Sequence, residues 1–252
     1  MVNAVLANKV ALITGGARGI GKAIAIKLAA VGCDVVINYY NSADHAQLVV
    51  DEITSMGRKA QAIQANVADY TSVNEMFNQF RRSFQQLDFL VSNAASGVLK
   101  PALQMSTKHW RWCLETNALA LNHLVTAAKD LIPRGGRIIA LSSLGAHRAI
   151  PHYAFIGASK AALEALVRSL SLELATDGIT VNTVSAGVVD TDALQNFPNR
   201  EQLLAEYKAR SLAGRDLTPA DIANAVYLLC LPEASIINAH TLVADAGFSC
   251  IG

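Results

Sequence analysis

Short apolar runs and segments of helical periodicity alternate along the whole chain, and this alternation restricts the fold more than any other feature. Residues 10–14, 35–38, 60–65, 89–92, 137–141, 179–184 and 241–244 read as strands. Residues 21–31, 43–56, 72–84, 110–131 and 156–176 read as helices. In the first helix Ile24, Leu28 and Val31 share one face, and Gly57 stops the second. Repeated β-α-β units call for a parallel sheet covered by helices on both faces. Right-handed crossovers then give a doubly wound α/β architecture. The expectation is a single domain over residues 1–252 with a parallel sheet of about seven strands. Residues 191–215 break the pattern, with Pro198, many polar residues and few strand signals. An insertion there falls beyond the carboxyl ends of the strands, where ligands bind, and reads as a lid over a substrate.

Composition excludes several classes. Hydrophobic residues at 52% against 16% charged rule out a disordered chain. Lys plus Arg total 21 and Asp plus Glu 20, so a net charge of +1 gives no general attraction for nucleic acid or an anionic membrane. No apolar run approaches the ~20 residues of a spanning helix. Asn8 and Lys9 interrupt any secretory pattern, and a cytoplasmic protein is expected. Cys33, Cys113, Cys230 and Cys250 stand alone, without a Cys-x-x-Cys pair or a histidine at ligand spacing. They read as small buried hydrophobes, with no metal site and no disulfide framework.

The first strand runs into the first helix through Thr14-Gly15-Gly16-Ala17-Arg18-Gly19-Ile20-Gly21. Glycines at 15, 19 and 21 allow a tight turn and close approach of the backbone to a pyrophosphate. The helix that follows offers free N–H groups and the positive end of its dipole. After the first strand of a β-α-β series, this turn predicts dinucleotide binding.

The order of these residues resembles the short-chain dehydrogenase/reductase family, and the resemblance covers essentially the whole chain. It implies a Rossmann fold. Asn66-Val67 matches the family's adenine contact, and Ser92-Asn93-Ala94-Ala95 its Asn-Asn-Ala-Gly turn. Asn117 matches its active-site asparagine, and Asn182 with Ala186-Gly187 its Asn and Pro-Gly, with Pro replaced by Ala. Thr191 matches the threonine set against the nicotinamide half. The resemblance thus assigns Gly15, Ala17, Arg18, Gly19, Ile20, Gly21, Asn41, Ser42, Asn66, Val67, Asn93, Ala94, Lys160, Gly187, Val189 and Thr191 to the cofactor.

NAD-preferring enzymes place a carboxylate at the end of the second strand. Here that position reads Asn38-Tyr39-Tyr40-Asn41-Ser42, without an acid. Arg18 can pair with a 2′-phosphate, and Ser42 is expected to cap the second helix beside it. NADPH is the expected cofactor, although Asn41 leaves one cation fewer than many relatives carry.

Reductases of the family usually carry Tyr-x-x-x-Lys. Lys160 keeps the lysine context in Gly157-Ala158-Ser159-Lys160-Ala161-Ala162, but Ile156 stands four residues before it. Isoleucine has no proton to give. Tyr153 gives a Tyr-x6-Lys spacing instead, which resembles the enoyl-thioester reductases of the superfamily. In enoyl reduction the hydride goes to the β-carbon, two atoms from the carbonyl carbon, so a phenol that stabilises the enolate oxygen must move. Three residues are about one helical turn, which keeps direction and changes position. The expected catalytic residues are Tyr153 on the enolate oxygen, Lys160 on the nicotinamide ribose, Ser143 and Asn117. The charge of Lys160 is expected to lower the phenol's pKa.

Three longer stretches resemble one subgroup, the bacterial type III enoyl-acyl-carrier-protein reductases. They are residues 93–99, 109–112, and 190–194 with 197–200. The resemblance implies NADPH-dependent reduction of trans-2-enoyl thioesters in fatty-acid or polyketide synthesis, by a homotetramer paired through its fourth and fifth long helices. Ser96, Val98, Leu99, Tyr153, Leu194 and Phe197 are candidates for the acyl channel. Lys100, Lys108, Arg111, Arg200, Lys208 and Arg210 are candidates for a basic rim facing an acyl carrier protein. Coenzyme A thioesters satisfy the same chemistry. Two alternatives stay open: a carbonyl or 3-ketoacyl thioester reductase, and a non-catalytic NADP-binding regulatory protein.

Overall fold

The computed structural model describes residues 5–192, 194 and 200–250. Seven strands form one parallel sheet in the order β3-β2-β1-β4-β5-β6-β7. They are β1 Val10–Ile13, β2 Asp34–Tyr39, β3 Ala60–Gln64, β4 Phe89–Ser92, β5 Arg137–Ser143, β6 Thr180–Ala186 and β7 Thr241–Ala244. Alternation along each strand divides the core in two. Ala11, Ile13, Val35, Ile37 and Val91 face α1 (Gly19–Ala30), α2 (Ala43–Ser55) and α8 (Pro219–Cys230). Leu12, Val36, Leu90 and Ile138 face α3 (Tyr70–Ser83), α5 (Ala120–Ala128) and α6 (Ala154–Leu174).

Helix starts follow local chemistry. Asp69 accepts from the Thr71 and Ser72 N–H groups to open α3. Thr218 and Asp221 form a capping box with Pro219 inside the first turn of α8.

Several expectations need correction. The helix expected over 110–131 is not continuous. It starts as α4 (Thr107–Leu114), capped by Ser106 and His109, and passes through a π-helical stretch, Glu115–Leu119, into α5. Helix α8 went unpredicted, as did α7 (Arg200–Arg210) inside the expected lid. Helix α7 is polar and anchors through buried Tyr207, which donates to the Asp245 carbonyl and stacks on Phe248. Cys33, Cys113 and Cys230 are buried, but Cys250 is exposed. Burial pushes the Cys33 thiol up to about 12 and raises those of Cys113 and Cys230, which suits packing rather than nucleophilic use. Among the described residues no helix is long and apolar enough to cross a membrane, and no group of His, Cys, Asp or Glu could hold a metal ion.

Candidate active site

The sheet reverses its winding at β1, which lies between β2 and β4. In doubly wound sheets ligands bind at such a reversal, beyond the carboxyl ends of the strands. The glycine turn and the loop after β4 meet there. Asn93 Nδ2 donates to the carbonyl of Thr14 at 2.9 Å and to that of Gly15 at 3.3 Å. Thr14 Oγ1 accepts from the N–H groups of Asn93 and Ala94. From the other side Asn38, 2% exposed, accepts from Gly15 N–H at 3.4 Å and donates to the Ala65 carbonyl at 3.0 Å. The side chains of Asn93 and Asn38 thus fix the turn, and Thr14 and Asn38 are site residues the sequence reading did not single out.

The turn fits a dinucleotide. A Cβ at Gly21 would run into the carbonyl of Gly15, so only glycine lets the helix start this close to the turn. Helix α1 has no side-chain cap and no acid in its first turn. Its N–H groups therefore remain available to an anion. Arg18 is exposed at its N-cap, Ala17 is buried, and Gly19 and Ile20 are half-buried. Thr191 lies across the turn, with its side chain 3.6 Å from where a Gly19 Cβ would be.

Around this centre the other cofactor candidates take varied places. Asn41 is exposed. Ser42 occupies the N-cap of α2, but its hydroxyl makes no capping bond, against expectation; an Asp44 carboxylate in the first turn already suits the helix dipole. Asn66 Oδ1 accepts from Ala68 N–H, which turns the chain after β3, and Val67 beside it is buried. Gly187 N–H donates to the Ala244 carbonyl, and a Cβ there would meet the Tyr207 hydroxyl. Val189 forms an isolated parallel bridge with Leu217.

Tyr153, Ser143 and Lys160 converge at the ends of β5 and α6. The Tyr153 hydroxyl donates to Ser143 Oγ at 3.2 Å. Its ring lies on Gly145, where an added Cβ would be 2.6 Å from two ring carbons. Lys160, 6% exposed, donates to the Leu141 carbonyl at 2.7 Å. Burial lowers the lysine from its ordinary value to about 8, partly offset by the Glu164 carboxylate. The expected effect on the phenol is reversed. Burial raises the Tyr153 pKa, the Ser143 hydrogen bond opposes this, and Cys113 adds to it. Desolvation of the phenolate is the largest cause, so the hydroxyl stays a donor at neutral pH.

Asn117 lies in the π-helical stretch. It accepts from Ser96 N–H at 2.8 Å and donates to the Ser96 carbonyl and to Ser159 Oγ, each at 2.9 Å. It therefore ties the loop after β4 to α6. Ser96, Val98 and Leu99 are half-buried on that loop, and Leu194 is buried. Phe197 lies outside the described residues. Ile156 packs against Gly97, where an added Cβ would run into its side chain. Trp110 packs edge-on against Phe155, in keeping with a packing role. Of the basic rim, Arg200 pairs with Asp190 and Arg210 with Glu206.

This arrangement is an oxidoreductase site of the Rossmann type. A family model described as enoyl-(acyl carrier protein) reductase matches residues 15–249. The chain belongs to the short-chain dehydrogenase/reductase family. It is 38% identical over 248 residues to 1-cyclohexenylcarbonyl-CoA reductase of Streptomyces collinus, covering 96% of this chain and 88% of that protein. It is 35% identical over 254 residues to a hydroxynaphthalene reductase-like protein of Metarhizium guizhouense, covering 96% and 95%. Among solved structures, a Burkholderia cenocepacia short-chain dehydrogenase in complex with NADP superposes with a TM-score of 0.89, 35% identity and coverage of 97% and 99%. A blue fluorescent protein from a metagenomic library, in complex with NADPH, gives 0.89, 33%, 97% and 99%.

Proposed function

We propose that this chain reduces the carbon–carbon double bond of trans-2-enoyl thioesters with NADPH. The carrying observation is the Tyr153–Ser143 hydrogen bond, with Lys160 bound to the Leu141 carbonyl two residues before Ser143 and isoleucine at position 156. NADPH, when bound, supplies a hydride to the β-carbon. The uncapped start of α1 and Arg18 hold its phosphates, and Lys160 holds the nicotinamide ribose. In the reaction the Tyr153–Ser143 bond reverses, with Ser143 donating to the Tyr153 oxygen, and the freed phenol O–H donates to the thioester oxygen as negative charge grows there. The raised pKa of Tyr153 keeps the phenol protonated as a hydrogen-bond donor to the enolate, whose α-carbon then takes a proton from solvent to give the saturated thioester.

The relative acting on an unsaturated CoA thioester supports this chemistry. The hydroxynaphthalene reductase-like relative is named for a substrate that is not a thioester, and carbonyl reduction is the competing reading. Ile156 against Gly97 disfavours it, because no donor stands at that turn of α6. The thioester carrier is acyl carrier protein or coenzyme A. Internal pairing of Arg200 and Arg210 weakens the basic rim and with it the case for the carrier protein. The proposed assembly is a homotetramer, supported by exposed Trp112, Leu119 and Leu172 along α4, the π-helical stretch and α6.

The test is NADPH oxidation with crotonyl and longer 2-enoyl thioesters, alongside 3-ketoacyl thioesters. Turnover of the enoyl series is expected. Turnover confined to the ketoacyl series would replace this reading with the carbonyl one. NADPH binding without any turnover would favour a regulatory protein.

A further inference from the structure

Glu164 lies one helical turn after Lys160 on α6 and is 2% exposed. A buried carboxylate is costly unless its oxygens are satisfied. Here both are. Ser142 Oγ donates to Oε1 at 2.6 Å, and His147 Nε2 lies 2.6 Å from Oε2. Ser142 immediately precedes Ser143, and His147 follows in the same loop.

The three last residues of β5 are thus bonded in succession to one helix and its cap. Lys160 reaches the Leu141 carbonyl, Glu164 holds the Ser142 hydroxyl, and Tyr153 reaches the Ser143 hydroxyl. Two of these bonds involve the groups assigned to the reaction. The third, from Glu164, has no part in the chemistry described so far. We propose that Glu164 is a positioning residue: its buried carboxylate, clamped by Ser142 and His147, holds the end of β5 against α6 and keeps the Lys160 ammonium on the Leu141 carbonyl, at the strand end that carries Ser143.

Electrostatics support the geometry. Among the described residues, the charged group acting on Lys160 is Glu164, and it opposes the effect of burial. His147 faces the carboxylate from the loop after β5, with an exposed side chain. Cys113 of α4 acts on Tyr153 instead. Glu115 of the π-helical stretch is exposed, and β6 carries no titratable side chain.

The proposal rests on Lys160 serving the reductase site, so its test includes a readout without turnover. The side-chain nitrogen of Lys160 is titrated by NMR in the wild type and in Glu164→Gln. Loss of the carboxylate should lower the lysine midpoint by about one pH unit. Turnover should then fall roughly fivefold at pH 8 and little at pH 6, because only near the midpoint does the charged fraction change. A purely structural role would lower turnover equally at both pH values. Glu164→Asp keeps the charge and should keep the wild-type midpoint, and it decides the matter should the Gln variant fail to fold. An unchanged midpoint in Glu164→Gln, or a fallen midpoint in Glu164→Asp, would overturn the proposal. Absence of enoyl turnover in the wild type would refute the enoyl reading and leave the lysine titration to decide the role of Glu164.

Discussion

The two ends of the cleft are built from different parts of the chain. At the nucleotide end the groups proposed to face the ligand are main-chain N–H groups, and side chains such as Asn93, Asn38 and Thr14 fix the turn behind them. At the proposed reducing end the groups assigned to the ligand are the side chains of Tyr153, Ser143 and Lys160. One end is specified by what is missing, a Cβ at Gly21. The other is specified by donors held in place. Changes at the first end should therefore act on cofactor affinity and folding, and changes at the second on turnover.

The largest expected effect is at the reducing end. Tyr153→Phe should lower turnover of enoyl thioesters by about 10³-fold, at the upper end of what one oxyanion donor supplies. Its NADPH affinity, measured by fluorescence titration, should stay near that of the wild type. An equal loss of binding would erase the distinction between the two ends.

Gly21→Ala is the matching change at the nucleotide end. Its methyl group would have to displace the turn, at a cost of about 3 kcal/mol. Calorimetry should show a Tm lower by roughly 6–12 °C. NADPH affinity should fall by about two orders of magnitude, as the turn no longer presents its N–H groups together.

A smaller effect sharpens the cofactor assignment. Arg18→Ala should raise the KM for NADPH roughly tenfold and leave that for NADH unaltered, since the charge-assisted contact is to the 2′-phosphate alone. Equal changes for both cofactors would remove Arg18 from the phosphate site.

The smallest effect is in pH dependence. With Lys160 at about 8, kcat/KM should decline above pH 8 as the lysine loses its proton. Stability should move the opposite way. Between about 8 and the ordinary lysine value the unfolded chain binds the proton and the folded chain does not. This group's contribution to stability therefore rises with pH over that window. Denaturant titrations across the window check the sign.

Much of the nucleotide end was legible in the sequence. A glycine turn between a strand and a helix has few physical alternatives, and most of the strands announced themselves as apolar runs, with β3 alternating Ala, Gln and Ile. Helix α8 was missed despite Thr218, Pro219 and Asp221, a start signal that capping rules recognise. The break in the long helix was missed because a π-helical stretch keeps helical apolar spacing on both sides. Asn38 and Glu164 were missed for a different reason. A polar residue looks like surface until the fold buries it and supplies its partners. The reversal of the phenol's pKa also depends on burial, which spacing between Tyr153 and Lys160 cannot convey.

The account's central claim is where the hydride goes. Reduction of a 2-enoyl thioester with NADPH carrying deuterium at its transferable position, followed by NMR of the product, measures this directly. The account predicts a saturated thioester with deuterium on the β-carbon. Deuterium on a carbinol carbon, from a ketone substrate alone, would contradict it.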